Sequence, residues 1–311
     1  MNESVFSEWE GDIRDQQALT NPNMYNKLKK EFRSNSCLVL TDYPPGYVYS
    51  INDLNIYDVG SNYSSSTAIV VVYDIRGFNI SQTRVFCDRL SFEYKARVVM
   101  PDFFRGNEFR RNSARFSASL INILGTAAPA NMSELGAWLA QAGNWSQVEK
   151  DLIMVNEQLK KDRAKQLAIL GFCWGGLQVL RACGQLADYY STGISIHGAS
   201  LTVTDAQNLQ RPMMFLAAGN DPPLTNITAT LNQKSFGNLC EYKVYPNMIH
   251  GFASAGANFS NPENVAALDD VHDRCNKFLT KILTNSGMIV ASTVKLVLLT
   301  FYILVNNIYY I

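Results

Sequence analysis

The chain reads as an α/β protein with a mostly parallel central sheet, helices on both faces and a single domain. Three observations predict this. Short, mostly apolar runs at residues 68–74, 97–101, 167–170 and 213–218 have the length of strands buried on both faces. Helical patterns at residues 83–92 and 146–161 fall between them, as crossovers joining parallel strands must. Chemistry-bearing residues collect just after these runs, where open parallel sheets carry their sites.

The elements follow in order. Residues 1–36 are polar and charged and read as an extension outside the core, without the charged and then apolar segments of a secretory signal. The core domain is expected over residues 37–285. Its first strands are 54–58 and 68–74, its first crossover helix 83–92 and its next strand 97–101. From 107 to about 147 the pattern breaks around Pro129 and Gly136, and this stretch is expected to form a lid over the site. The amphipathic helix 146–161 leads into the run Leu167-Ala168-Ile169-Leu170. Strands at 213–218 and 241–245 and a helix around 268–283 complete the domain.

The most informative stretch is Gly171-Phe172-Cys173-Trp174-Gly175-Gly176. A strand precedes it, a helix start follows, and glycines stand two before and two after Cys173. This is the G-x-S-x-G nucleophile elbow with Cys in place of Ser. Glycines suit it because strand and helix approach closely in the turn, while the helix N-terminus favours negative charge on a thiolate or oxyanion. A buried structural cysteine is the plain alternative. Against it stand an acid and a histidine in the chain order such an elbow needs. Asp221 follows strand 213–218 within Gly219-Asn220-Asp221-Pro222-Pro223, and His250 follows strand 241–245 within His250-Gly251-Phe252. His197 also closes a strand-like run but precedes Asp221, against that order. His272 lies among Asp269, Asp270, Asp273, Arg274 and Lys277 and reads as a solvated helix-face residue.

These pieces, joined by Val72-Tyr73-Asp74-Ile75-Arg76-Gly77-Phe78 and Met100-Pro101-Asp102-Phe103-Phe104-Arg105-Gly106, give the chain its likeness to a known family. Over about residues 44–283 it resembles the dienelactone hydrolase family, the carboxymethylenebutenolidase-like branch of the alpha/beta-hydrolases. The resemblance implies the alpha/beta-hydrolase fold and a carboxylic ester hydrolase, an esterase or lactonase working through a thioester on Cys173. In it, His250 is the general base and Asp221 orients and charges the imidazole. The oxyanion hole falls on the backbone N–H groups of Trp174 and Ile75.

In bacterial members a carboxylate at the position of Asp74 contacts the resting cysteine, and Asp74 is one methylene shorter than the Glu found there. Those members also hold a substrate carboxylate with two arginines. Here the first region offers Arg105, shifted in register, and the second, about four residues beyond His250, has no cation. Arg76, where eukaryotic members often carry Phe, is an alternative anchor, and Phe104 and Phe252 complete the expected substrate contacts. Half of the arginine clamp is missing, so dienelactone itself is not the expected substrate.

Composition adds exclusions. Lys plus Arg and Asp plus Glu both number 27, so nothing in the charge balance points to nucleic acid as a partner. The six cysteines show neither a CxxC pair nor metal-ligand spacing; no metal or cofactor is expected, and a reduced, cytoplasmic chain is the better reading. Met288 and Val305 bound an apolar run at the lower limit of a membrane span, so residues 286–311 read either as a tail anchor facing the cytosol or as an interaction segment. A monomer acting on a small-molecule ester or lactone is the leading expectation. The competing class is a catalytically silent member that binds a ligand or serves as a scaffold, for which the absent arginine and Arg76 leave room. A third is a membrane-tethered enzyme on lipid-derived or thioester substrates.

Overall fold

Residues 43–109 and 132–284 are described in the structure, a computed structural model. Eight strands form one sheet. β1 (Tyr47–Ile51) and β2 (Leu54–Val59) make an antiparallel hairpin, and β2 pairs antiparallel with β4 (Arg97–Pro101). All further pairings are parallel, through β3 (Thr67–Val72), β5 (Gln166–Phe172), β6 (Tyr190–Ile196), β7 (Met213–Ala218) and β8 (Glu241–Tyr245). The spatial order is β1-β2-β4-β3-β5-β6-β7-β8. The chain therefore steps to one side from β3 to β4, then returns across β3 to lay down β5 and its successors on the other. Ligand crevices of open α/β sheets form at such a reversal, outside the carboxyl ends of the two strands that flank it. Here those ends lead into Asp74-Ile75 and Cys173.

The sequence accounts for most of this. β3 and β7 are buried at every position, and their apolar runs suit strands covered on both faces. The helices are α1 (Ser81–Tyr94), α2 (Met132–Gln141), α3 (Trp145–Lys161), α4 (Trp174–Gln185), α5 (Val203–Asn208), α6 (Thr225–Leu231) and α7 over residues 262–284. In α3 the side chain of Asn144 caps Ser146 N, Lys160 and Lys161 complement the dipole at the other end, and Val148, Leu152, Val155 and Leu159 form the buried stripe.

Three expectations change. β1 was not foreseen, because a half-exposed edge strand lacks a continuous apolar run. His272 is buried, not solvated: it falls inside the α7 stripe of Leu268, Val271, Cys275 and Leu279, and its ring packs on Phe86 with centroids 4.0 Å apart. The charged residues around it occupy the rest of the helix circumference. Finally, the stretch expected to form a lid contains α2 and the start of α3, while its residues 110–131 lie outside the described residues, as do residues 1–42 and 285–311. The extension and the apolar tail fall there. Among the described residues, no helix is long and apolar enough to cross a membrane.

A close approach between α4 and the end of β3 gives a test. A Cβ on Gly175, in the first turn of α4, would lie 2.2 Å from the carbonyl oxygen of Val72 and 2.6 Å from that of Tyr73, both backbone atoms of the β3 exit. A Cβ on Gly136, in α2, would meet nothing within 4 Å. Gly175→Ala is expected to cost about 3 kcal/mol or more in a denaturant melt, at the upper end for overpacking. Gly136→Ala should stabilise by about 0.5–1 kcal/mol, the helix-interior value. Similar melts for the two variants would contradict the packing described.

Candidate active site

Cys173 stands alone between the last residue of β5 and the first of α4, at φ 53° and ψ −118°. This is a region a side-chain-bearing residue enters only under strain. The turn is pinned from three sides. Cys173 N donates to Ile196 O at 3.2 Å, and the Cys173 carbonyl accepts from Gly176 N at 3.0 Å and Ala199 N at 2.9 Å. The Ala199 donor belongs to a turn that is itself strained, with His197 at φ 38° and Ser200 at φ 57°. Gly171 is required for the same reason as Gly175, since its Cβ would lie 2.3 Å from the Gly175 carbonyl oxygen. Cys173 is thereby held at the N-terminus of α4. The backbone N–H groups of Trp174 and Ile75, the two expected oxyanion donors, give their hydrogens to no acceptor among the described residues.

Asp221 and His250 reach this point on two loops that are knitted together. Gly219 N donates to Met248 O at 2.9 Å, and His250 N donates to the side-chain oxygen of Asn220 at 2.7 Å. Asp221 Oδ2 accepts from Ala218 N at 2.7 Å, which leaves Oδ1 to meet His250 Nδ1 at 2.6 Å. The Asp221 side chain is 2% exposed and that of His250 13%, so the pair is shielded but open on one side. With Nδ1 taken, Nε2 is the ring nitrogen left for Cys173, which lies close enough to raise the imidazole pKa. Burial alone would depress the His250 pKa. The negative charge of Cys173, the Asp221 hydrogen bond and the Cys173 hydrogen bond together overcome this and raise it to about 10. Burial instead pushes up the thiols of Cys87, Cys183 and Cys275, which stay protonated and inert.

His197 lies beside this group but outside its chemistry. It is fully buried, its ring centroid is 5.0 Å from that of His250, and burial followed by the charge of His250 drives its pKa well below the ordinary value. A neutral buried ring supports its neighbour and gains no proton. Among the described residues, no cluster of three or more His, Cys, Asp or Glu side chains is placed to hold a metal ion.

The remaining expected residues divide. Asp74 is buried beside the Ile75 donor, but its carboxylate binds elsewhere: Oδ1 accepts from Arg76 N at 2.8 Å, and Oδ2 accepts from Ser254 Oγ at 2.6 Å and Ala255 N at 3.2 Å. Among the described residues it makes no hydrogen bond to Cys173. Arg105, read as a substrate anchor, is corrected to a structural tie: its Nε meets Asp53 at 2.7 Å, and its two terminal nitrogens meet Asp151 at 2.8 and 2.9 Å. All three nitrogens are engaged, so no edge of the guanidinium is left for a substrate anion. Arg76 is half-buried, and its guanidinium meets no partner among the described residues. Phe104 is buried in an aromatic wall, 4.7 Å between centroids from both Trp174 and Trp138. Phe252 is buried, with its ring packed on those of His197 and Tyr245.

Sequence reasoning gave no role to Asn220, Ser254 or Ala199. The first two sit inside motifs that were read, yet nothing local reveals their partners. Ser254 bonds a residue 180 positions away.

The dienelactone hydrolase family model matches residues 55–283. A carboxymethylenebutenolidase homolog of Xenopus tropicalis is 26% identical over 243 residues, covering 76% of this chain and 91% of its own. Its Homo sapiens counterpart is 24% identical with the same coverage. Among solved structures, dienelactone hydrolase from Anabaena variabilis superposes with a TM-score of 0.52 at 12% identity, over 76% of this chain and 96% of its own. Est1E from Butyrivibrio proteoclasticus gives 0.52 at 11% identity, over 78% and 100%. At these identities the solved structures establish the alpha/beta-hydrolase fold and nothing finer. The family match, however, runs from β2 into α7 and takes in Asp74, Cys173, Asp221 and His250, so the chain belongs to the dienelactone hydrolase family of hydrolases.

Proposed function

We propose that the protein cleaves a small ester or lactone through a thioester on Cys173. The observation that carries this reading is the strained elbow position of Cys173 together with the Asp221–His250 pair, joined at 2.6 Å, whose imidazole pKa responds to Cys173. A catalytically silent binding protein has no use for that charge arrangement on a strained residue.

The geometry supports the following sequence. The Cys173 thiolate attacks the carbonyl carbon, and the displaced electron pair moves to the oxygen, which lies against the N–H groups of Ile75 and Trp174. As the intermediate collapses, the His250 imidazolium gives its Nε2 proton to the departing alkoxide, leaving a thioester and a neutral ring. Water then enters, His250 takes one of its protons, and the hydroxide adds to the thioester carbonyl. Collapse releases the carboxylic acid and restores the thiolate–imidazolium pair. Asp221 stays ionised throughout, fixing the tautomer and stabilising the charged ring. The half-buried Trp138, backed by Phe104 and Trp174, offers an apolar face to the acyl or alcohol group. Arg76, one residue past the Ile75 donor, is the cation available to an anionic substituent.

Cys173→Ser is expected to lower turnover of a nitrophenyl ester by about 100-fold or more, as removal of a nucleophile does. Equal rates in the two proteins would refute the assignment. A panel of lactones, aryl esters and thioesters run on both defines the acyl group.

The charge state gives a second test. The His250 ring, followed by NMR, should titrate near pH 10 and not near its ordinary 6.5. Because the folded value is raised, the pair's contribution to stability is complete below about pH 6.5 and fades as the pH climbs through about 10. Asp221→Asn should bring the midpoint down. A wild-type midpoint at or below 6.5 would refute the charged pair.

A further inference from the structure

The Asp74 carboxylate joins two loops that approach the reacting atoms from opposite directions. On one side Oδ1 holds Arg76 N at 2.8 Å, while the Asp74 carbonyl holds Gly77 N at 3.0 Å, so the turn carrying the Ile75 N–H is closed around this residue. On the other side Oδ2 takes the Ser254 hydroxyl at 2.6 Å and Ala255 N at 3.2 Å. Those residues lie four and five positions past His250, in a turn closed by Ser254 N to Gly251 O at 2.9 Å. Ser254 Oγ is also 3.4 Å from Nε2 of the buried His197, whose ring rests against His250. A carboxylate taken out of water needs several strong donors. Asp74 finds three, and they come from both loops.

We propose that Asp74 is a positioning residue that locks the loop bearing the Ile75 donor onto the loop bearing His250, and that it does not guard the resting thiol. The catalytic consequence rests on the hydrolase reading above; the mechanical tie does not. Ser254 stands where the sequence comparison led one to expect a substrate-binding cation, and it spends its hydroxyl on the tie. The distance between the oxyanion donor and the general base is thus set by one short side chain, and small displacements of such groups are costly to rate.

The test uses the full chain. Asp74→Ala takes the acceptor from three donors at once and risks misfolding, so Ser254→Ala, which removes one hydroxyl, is studied beside it. Hydrogen exchange read by mass spectrometry should rise about tenfold at residues 75–77 in Ser254→Ala, the effect of one lost hydrogen bond, although the change lies on the other loop. On a nitrophenyl ester, kcat should fall about tenfold in Ser254→Ala. It should fall about 100-fold in Asp74→Ala, the scale of a misplaced reacting group. KM should stay within about threefold in both, since the loss falls on the transition state. Iodoacetamide alkylation of Cys173 should stay within about twofold of wild type, because no interaction with the sulfur has been removed. Unchanged exchange at 75–77 in Ser254→Ala overturns the tie, and unchanged kcat overturns its role in positioning. Accelerated alkylation in Asp74→Ala would reinstate the guard. A wild type that turns over no member of the ester panel would fail the hydrolase reading instead, with the exchange result still deciding the tie.

Discussion

Cys173 occupies a strained backbone conformation because β5 and α4 leave the chain no other way to turn. Gly171 and Gly175 face each other across a gap that one extra carbon would close, and α4 in turn lies against the carbonyls at the end of β3. The sulfur is therefore presented by packing and not by its own preferences. Three backbone hydrogen bonds from Gly176, Ala199 and to Ile196 hold it there. Because the elbow abuts β3, the same contact that strains the cysteine brings the Ile75 loop beside it. In the proposed mechanism, nucleophile and oxyanion donors are two consequences of one close approach.

The electrostatics build outward from that point. A helix N-terminus and a protonated imidazole both favour negative charge on the sulfur, while Asp221 compensates the positive ring from behind. Burial works against a charged histidine, and the net rise to about 10 shows which effect prevails. Separate fates of similar groups follow from position alone. His197 lies almost against His250 yet is driven neutral, by burial first and then by the charge of His250. For Cys87, Cys183 and Cys275 burial is the largest effect and outweighs what Arg84 and Arg211 do for the first two, so their thiols are held protonated.

Departures from the family pattern are structural as well as chemical. Arg105 is committed to Asp53 and Asp151, and so joins the β1–β2 turn to α3. Ser254, where the resemblance implied a cation, gives its hydroxyl to the carboxylate of Asp74, which links the two loops. A site built this way trades a ready-made anion clamp for internal rigidity, with the half-buried Arg76 as its unpaired cation among the described residues.

The sequence by itself determined the α/β class, the strand order of events along the chain and the candidates Cys173, Asp221 and His250. Each depends on local pattern: apolar runs for β3, β5 and β7, glycines around one residue, and acids or histidines just past strand ends. It also held the signal that His272 is buried, in the spacing from Leu268 to Leu279, although the charges between them obscured it. What only the tertiary structure decided is which side chains are already spent. Asp74 and Ser254 are 180 residues apart, and Arg105 lies 52 residues from Asp53 and 46 from Asp151. Whether a charged residue greets a substrate or ties two loops depends on what faces it across the fold. That is a property of distance in space, and no periodicity along the chain encodes it.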